Sequence, residues 1–378
     1  RARRRVPLRI AVTGTRGKSG VTRLIAAGLR ESGRRVLAKT TGSVPALILH
    51  DGSERPIERP GAPSIREQVR LVERAARLGA DALVTELMSI GAECLSAESR
   101  AIVRPGLLAL TNVRLDHLEA MGGTKEAIAG TLAAAFPDEA TVFVPAEEAR
   151  PVFRETAAAR RSRLVEAGGP PVGGDDLPPG EFEPNLRLAL AVLERVGVDR
   201  ATALRGIGRA RPDPGGLKVW RAAFGRPPRS AFLVSAFAAN DPESSAAAME
   251  RVGQLLPPAD RRRAGLLCLR EDRGDRTLQW ARAAAGGFFD GFASVAVVGP
   301  PAPAARRVFR RALGGRFGTF SFDAAPDPAT LTGRLVASAV EGAATGSGGA
   351  VVVGLGNFVG WGERFVRSWS ETGTLHGR

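Results

Sequence analysis

Cysteine, histidine, lysine and aromatic side chains are all scarce in this 378-residue chain, and each scarcity removes a class of function. The only cysteines, Cys94 and Cys268, stand far apart and in no CxxC pairing, which excludes a disulfide framework and a thiolate zinc site and suits a reducing, cytoplasmic compartment. His50, His117 and His376 are too few and too scattered for a histidine-built metal cluster, although any one can join carboxylates around a hard cation. Aromatics make up 5% of the residues, with no aromatic–basic interleaving, zinc finger or RNP-like run, so nucleic acid is not an expected partner. No run of about 18 apolar residues is present, so the sequence as given holds no bilayer-spanning helix.

Of the 54 basic residues only Lys18, Lys39, Lys125 and Lys218 are lysine, so the formal charge of +15 is almost wholly an arginine charge. Such a balance reads either as an arginine-rich solvated surface or as attraction to a polyanion or an anionic membrane. The opening RARRR lacks an initiator Met and reads either as a solvated tail or as the cytoplasmic flank of a membrane segment. The second alternative places the chain on the cytoplasmic face of the membrane, peripherally or through an N-terminal segment outside this sequence.

With 44% hydrophobic residues the chain can bury a large core, and its length suggests two domains. Short apolar runs alternate with helical patterns throughout, the mark of α/β architecture with parallel sheets. The first series of expected strands is LRIAVTG (8–14), RVLAKTTG (35–42), ALVTEL (82–87), GLLALTNV (106–113) and TVFVPA (141–146). Between them lie amphipathic stretches at 19–32 and 65–79, then a Gly/Pro-dense loop at 168–184 and helices at 185–197 and 201–208. After RPDPGG (211–216) a second alternation begins, with strands at LKVWRAAF, SAFLVSAF, AGLLCLR, SVAVVG, FGTFSF and AVVVGLGN. The expected domains are a P-loop ATPase domain at 1–211 and a Rossmann-like domain at 212–378.

Three motifs carry chemistry, and each follows an apolar strand, where open α/β sheets gather their ligands. In VTGTRGKSG (12–20) a strand runs into a Gly-rich turn and a helix opening on Lys18 and Ser19. Backbone amides freed by Gly14 and Gly17, across Thr15 and Arg16, can wrap phosphate oxygens; Lys18 can bridge the β and γ phosphates, and Ser19 can hold Mg²⁺. The loop is one residue shorter than the common G-x-x-x-x-G-K-S pattern. In TELMS (85–89) the strand-terminal Glu86 is costly to bury unless it serves a cation, and it can complete the magnesium shell begun by Ser19. In TNVRLDHLEAMGGT (111–124), Asn112, Asp116 and His117 cluster within six positions, with His117 a candidate metal ligand.

Together these motifs resemble the Mur ligase superfamily, with its GT-x-GK-[ST] loop, strand-end Glu and N-x-x-x-D-H segment. The run DHLEAMGGTKEAIA (116–129) resembles folylpolyglutamate synthetases. The segments VTGTRGKS, KTTG (39–42), TNVRLDH (111–117), PDPG (212–215), FAANDPES and LREDRGDR (269–276) are closer to the ligase subunits of bacterial poly-gamma-glutamate (capsule) synthases. The resemblance spans almost the whole chain and implies an ATP- and Mg²⁺-dependent amide ligase that extends a polyglutamate chain with glutamate through an acyl phosphate, with membrane-bound synthase subunits as partners.

Residue by residue, the resemblance implies catalytic roles for Lys18, Glu86 and His117 and metal binding by Ser19, Glu86 and His117. It implies ATP contacts from Gly14 to Ser19, Asn112, Asn185, Arg273 and Asp275, and substrate contacts at Lys39, Thr40, Thr41, Asn240, Asp241 and Arg276, with Ser244 and Gly274 beside them. Three departures leave roles vacant: Leu132 stands where many relatives carry a carbamylated lysine, PDPGG replaces an arginine before the second domain, and Ser235 stands for an aspartate. Two other activities fit the same motifs: a ligase adding few glutamates to a small acceptor such as a folate, and a P-loop nucleotide switch.

Overall fold

The computed structural model describes residues 2–42, 44–59, 61, 63–169, 176–225, 228–256, 261–299, 303–316, 327–341 and 349–376. The chain divides into two compact units, Arg1–Pro214 and Gly215–Arg378.

The first unit is built on eight strands: β1 (Leu8–Thr13), β2 (Val36–Thr40), β3 (Ala46–Ile48), β4 (Glu54–Pro56), β5 (Ala82–Glu86), β6 (Leu107–Leu110), β7 (Thr141–Pro145) and β8 (Arg163–Ala167). Its helices are α1 (Lys18–Glu31), α2 (Arg66–Arg77), α3 (Ala92–Ser96), α4 (Leu118–Met121), α5 (Lys125–Ala133), α6 (Pro151–Ala159), α7 (Glu183–Arg195) and α8 (Arg200–Gly208). The sheet order is β4-β3-β2-β5-β1-β6-β7-β8. β1, β5 and β6 run parallel side by side, so the three motif loops leave the same edge of adjacent strands. These central strands are buried along nearly their whole length, as a sheet covered by helices on both faces requires. On one face α1 and α7 pack over Ile10, Val12 and Val84; on the other Ile128, Leu132 and Phe136 cover Leu108 and Val142.

The second unit carries β9 (Lys218–Phe224), β10 (Arg229–Ser235), β11 (Arg262–Cys268), β12 (Phe292–Val298), β13 (Ala350–Gly356) and β14 (Thr374–Leu375), in the order β12-β11-β13-β10-β9-β14. Its helices are α9 (Pro242–Leu255), α10 (Gly274–Ala285), α11 (Pro303–Leu313), α12 (Pro328–Val340) and α13 (Glu363–Thr372). Local chemistry fixes the helix starts: Asp241 caps α9 through Ser244 N, Asp327 caps α12 through Thr330 N, and each is followed by proline at the first helical position.

The expected strands form, with one correction and one gap. Both sheets are mixed rather than parallel, because β2-β3-β4 and β10-β9-β14 pair antiparallel. β2 to β3 and β3 to β4 are connected by short turns, which can join only antiparallel neighbours. The expected strand FGTFSF lies outside the described residues, as do 170–175 of the loop at 168–184.

Gly206 sets how closely α8 approaches α1. A Cβ there would lie 2.6 Å from Ala27 O and 2.8 Å from Glu31 Cβ, whereas one on Gly208 would meet nothing within 4 Å. The two alanine substitutions should therefore act in opposite directions in chemical denaturation. Gly206→Ala should cost about 1–3 kcal/mol through overpacking, and Gly208→Ala should gain roughly 0.5–1 kcal/mol from helix propensity. Equal effects would show that α8 does not pack on α1 through Gly206.

Candidate active site

The loop after β1 turns on two glycines with positive φ, Gly14 at 123° and Gly17 at 77°, and Gly17 caps α1. A Cβ on Gly17 would come within 2.9 Å of the Asn185 amide, so the first turn of α7 lies directly against the loop. Asn112, just beyond β6, stitches the loop in place. Its Oδ1 accepts from Thr15 Oγ1 (2.8 Å) and Arg16 N (3.0 Å), and its Nδ2 donates to Arg16 O (3.1 Å). Thr111 Oγ1 also donates to Arg16 O, and Arg114 N donates to Thr15 Oγ1. The loop conformation is thus imposed by the neighbouring strand end rather than left to the glycines.

Lys18 folds over the loop, with Nζ donating to Gly14 O (2.8 Å) and Thr15 O (3.3 Å). Burial pushes its ammonium below the ordinary lysine range, opposed chiefly by Glu86. Ser19, in the first turn of α1, donates from Oγ to Glu86 Oε2 at 2.7 Å, and Thr41 N donates to the same oxygen at 2.7 Å. Glu86 is 2% exposed, and among the described residues no cationic side chain forms an ion pair with it. A buried carboxylate touching a hydroxyl at a helix N-terminus is an all-oxygen donor set suited to a hard divalent cation. Gly42 leaves room for it, since a Cβ there would lie 2.5 Å from Ser19 Oγ.

Arg16 reaches from the loop to Asp116, Nη1 to Oδ2 at 2.7 Å, and His117 Nε2 lies 3.4 Å from the same carboxylate oxygen. His117 adopts a left-handed backbone (φ 49°) at the start of α4. The DH segment is therefore tied to the phosphate-type loop through Arg16. Among the described residues no three His, Cys, Asp or Glu side chains converge as a metal cluster.

Several partners of these groups had no signal in the sequence. Lys39, 1% exposed, pairs with Glu67 at 3.0 Å, and Glu67 also accepts from Arg59. Glu98 is fully buried and accepts from Gln68 Nε2 (2.6 Å), Met88 N and Ser89 N, while Gln68 Nε2 also donates to Glu86 O (3.0 Å). Glu67 and Gln68 sit on α2 and Glu98 on the helical turn Ala97–Val103, so only the fold brings them beside β5. Asn185 donates to Glu181 Oε1 at 2.7 Å.

In the second unit the expected residues gather at the carboxyl ends of β10, β11 and β13. Asn240, in a left-handed conformation (φ 59°), accepts from Trp280 Nε1 through its carbonyl, and Asp241 caps α9. Arg273 pairs with Asp275 at 3.4 Å. Arg276 is buried and donates to Asn357 Oδ1 (2.9 Å), whose Nδ2 donates to Cys268 O. Asn357 was not among the residues expected from sequence. Ser235, at the end of β10, is 1% exposed.

Residues 12–168 match the Mur ligase middle domain and residues 222–372 the poly-gamma-glutamate synthase CapB C-terminal domain. The capsule biosynthesis protein CapB of Bacillus anthracis is 34% identical over 286 residues, which span 73% of this chain and 60% of that protein. The PGA synthase CapB of Bacillus subtilis is 32% identical over 281 residues, 73% of this chain and 71% of that one. The chain belongs to the CapB family of Mur ligases. In fold it is similar to Mycobacterium tuberculosis folylpolyglutamate synthase complexed with ADP, with a TM-score of 0.67 at 18% identity over 97% of this chain and 91% of that one. It is also similar to the Yersinia pestis folylpolyglutamate synthase/dihydrofolate synthase complexed with AMPPNP and Mn ion, with a TM-score of 0.63 at 17% identity over 94% and 88%.

The Lys39–Glu67–Arg59 group gives this CapB-family site a measurable acid limit. Burial raises the Glu67 carboxyl, but hydrogen bonds from Arg59 and Lys39 outweigh it and bring it from an ordinary 4.5 down to about 2. A carboxyl held low when folded contributes stability above its unfolded pKa and loses it as pH falls through the folded one. Wild type should thus exceed Glu67→Gln in stability by a constant margin above pH 4.5, and the margin should shrink between pH 4.5 and about 2. Acid titration of urea midpoints reads this directly; a margin unchanged across that window would remove the buried charge group from the account.

Proposed function

We propose that the chain is the ligase of a poly-gamma-glutamate synthase, joining glutamate to a polyglutamate chain at the expense of ATP through an acyl phosphate. The observation that carries this reading is the Ser19–Glu86 contact beside the amide-lined loop, in a chain whose two parts match Mur ligase and CapB domains. Such a loop holds phosphate oxygens with backbone N–H groups and a helix N-terminus.

In this reading the loop from Gly14 to Ser19, Asn112 and Asn185 bind ATP. The γ-phosphoryl group passes to an oxygen of the chain's terminal carboxylate, breaking its bond to the bridging oxygen of ADP. The amine of an incoming glutamate attacks the acyl carbon, phosphate leaves with the electron pair of the cleaved C–O bond, and the amine gives up a proton. Ser19 and Glu86, with His117 at the same sheet edge, would hold Mg²⁺. A divalent cation there spreads the negative charge of the transferring phosphoryl group. Lys18 adds positive charge where that group's oxygens gain it. Arg273 and Asp275 serve the nucleotide, and Lys39, Thr40, Thr41, Asn240, Asp241 and Arg276 serve the acyl and amino-acid substrates. Lys39 does so through the Glu67 pair that already orders it.

Membrane-bound synthase subunits at the cytoplasmic face belong to the same proposal. Exposed Arg4 and Arg5 in the turn Ala2–Arg5 support an anionic surface as neighbour. Among the described residues no helix is long and apolar enough to cross a membrane.

Phosphate release with ATP and single amino acids, followed by product mass analysis, tests the activity. Glutamate alone should stimulate release and yield a ladder of glutamyl additions; release without amide formation would favour a nucleotide switch. Lys18→Ala should lower the ligation rate by at least about a hundredfold, the scale of a lost charge-stabilising donor, while thermal melting stays close to wild type. Near-normal turnover in the folded variant would remove Lys18 from the chemistry.

Leu132 is 1% exposed within the apolar cluster of Ile128, Ala129 and Phe136, a place with no room for a carbamate or a hydrated cation. Ligation should therefore proceed equally in CO₂-depleted and bicarbonate-supplemented buffer. A fall on depletion that bicarbonate rescues would reveal a carbamate elsewhere in the chain.

A further inference from the structure

A cavity of about 310 Å³ opens beside α1 and away from its N-terminus, lined by the exposed turn His50–Gly52 between β3 and β4, by Glu54, and by the segment from Gly206 to Arg211. α1 contributes Arg23, Ala27 and Arg30, which with Ser19 form one stripe of the helix. Arg23 begins this stripe one turn beyond Ser19, roughly 6 Å along the axis, and Arg30 lies roughly 16 Å from Ser19.

The acids around the cavity are already engaged. Glu54 is taken by Arg23 through both oxygens, Nη1 to Oε1 at 2.5 Å and Nη2 to Oε2 at 3.0 Å. Glu31 is taken by Arg209 at 2.8 Å, and Asp51 accepts from the amide and hydroxyl of Ser53. The guanidinium groups are not used up. Arg23 is 3% exposed, yet its Nε makes no hydrogen bond and lies 3.9 Å from Asp213 Oδ2. Nη1 of Arg30 is buried without a hydrogen-bond partner, and Arg211 is exposed with no ion pair among the described residues. Buried guanidinium N–H groups left without acceptors are costly unless a ligand supplies them. Planar guanidinium forks favour carboxylates. Asp213 Oδ2 also lies 4.0 Å from where a Cβ on Gly42 would be, so the stripe leads from the Ser19–Glu86 site to this cavity.

We infer that this cavity is an acceptor subsite. Arg30 and Arg211 bind carboxylates of the γ-glutamyl residues behind the chain end, while the terminal carboxylate is held near Ser19. The inference rests on the ligase reading above. It assigns the cavity to a polycarboxylate chain and not to free glutamate, because two guanidinium groups without an ion pair among the described residues, Arg30 on α1 and Arg211 beyond α8, line one cavity roughly 16 Å along the helix from Ser19.

The test uses the full chain, fluorescein-labelled tetra-γ-glutamate and fluorescence anisotropy. Arg30→Gln and Arg211→Gln should each weaken binding about tenfold, the scale of one lost charge-assisted hydrogen bond. A tetramer with amidated α-carboxyls should bind wild type as weakly as the acid probe binds the double variant. In steady state the KM for the tetramer should rise by a similar factor, while KM for ATP and for free glutamate stays unchanged. Absence of binding to wild type, unchanged affinity in folded variants, equal binding of the amidated probe, or a rise in the free-glutamate KM alone would each overturn the subsite. Arg211, being exposed, carries the test if Arg30→Gln fails to fold. Arg30-dependent binding by a chain that forms no amide would sink the ligase reading and leave the subsite standing. Ligation with a wild-type tetramer KM in the double variant would do the reverse.

Discussion

The Glu86 carboxylate is the point on which the first unit's site is built. It sits 2% exposed at the end of β5 and accepts from Ser19 on one side and Thr41 on the other. A buried carboxylate without an ion-pair contact costs several kcal/mol, and two neutral donors with the nearby Lys18 charge offset part of it. The hard cation proposed next to the phosphate-type loop would make up that shortfall. The strand is held for this purpose from behind: Gln68 donates to the Glu86 carbonyl, and Glu98 fixes Met88 and Ser89, the residues that follow. Those buried side chains therefore govern where the Glu86 carboxylate points.

Much of this was legible in the sequence because it depends on local signals. The apolar runs at 8–14, 82–87 and 106–113 mark central strands, and the motif residues stand at their ends, where sheet order then brings Ser19, Glu86 and Asn112 together. What was not legible depends on distance in the chain. β3 and β4 are three residues each, too short to show a period, and β8 is a half-exposed edge strand. Glu67 meets Lys39, and Glu98 meets Gln68, only after α2 and the turn Ala97–Val103 have packed on the sheet. On a helix surface such carboxylates read as solvated charge. Asn112 also holds the loop backbone through both ends of its amide, a supporting contact that no spacing rule foretells.

Charge ties the composition to the proposed substrate. Two of the four lysines, Lys18 and Lys39, are deep in the site, and arginine supplies nearly all remaining positive charge. Many of those arginines pair with carboxylates on the surface and contribute little each. On α1, Arg23 is buried and Arg30 half-buried, and each keeps a guanidinium nitrogen without a hydrogen-bond partner. The polycarboxylate product proposed above would give that excess a use, since attraction along the chain would keep the growing end near the loop between additions.

The acyl phosphate is the central chemical claim, and isotope transfer tests it most directly. An acceptor whose terminal carboxylate carries ¹⁸O is extended with ATP and glutamate, and the released phosphate is analysed by mass. One ¹⁸O from the carboxylate should appear in phosphate for each amide formed, with ADP as the nucleotide product. Label appearing in AMP, or amide formation with unlabelled phosphate, would contradict that claim.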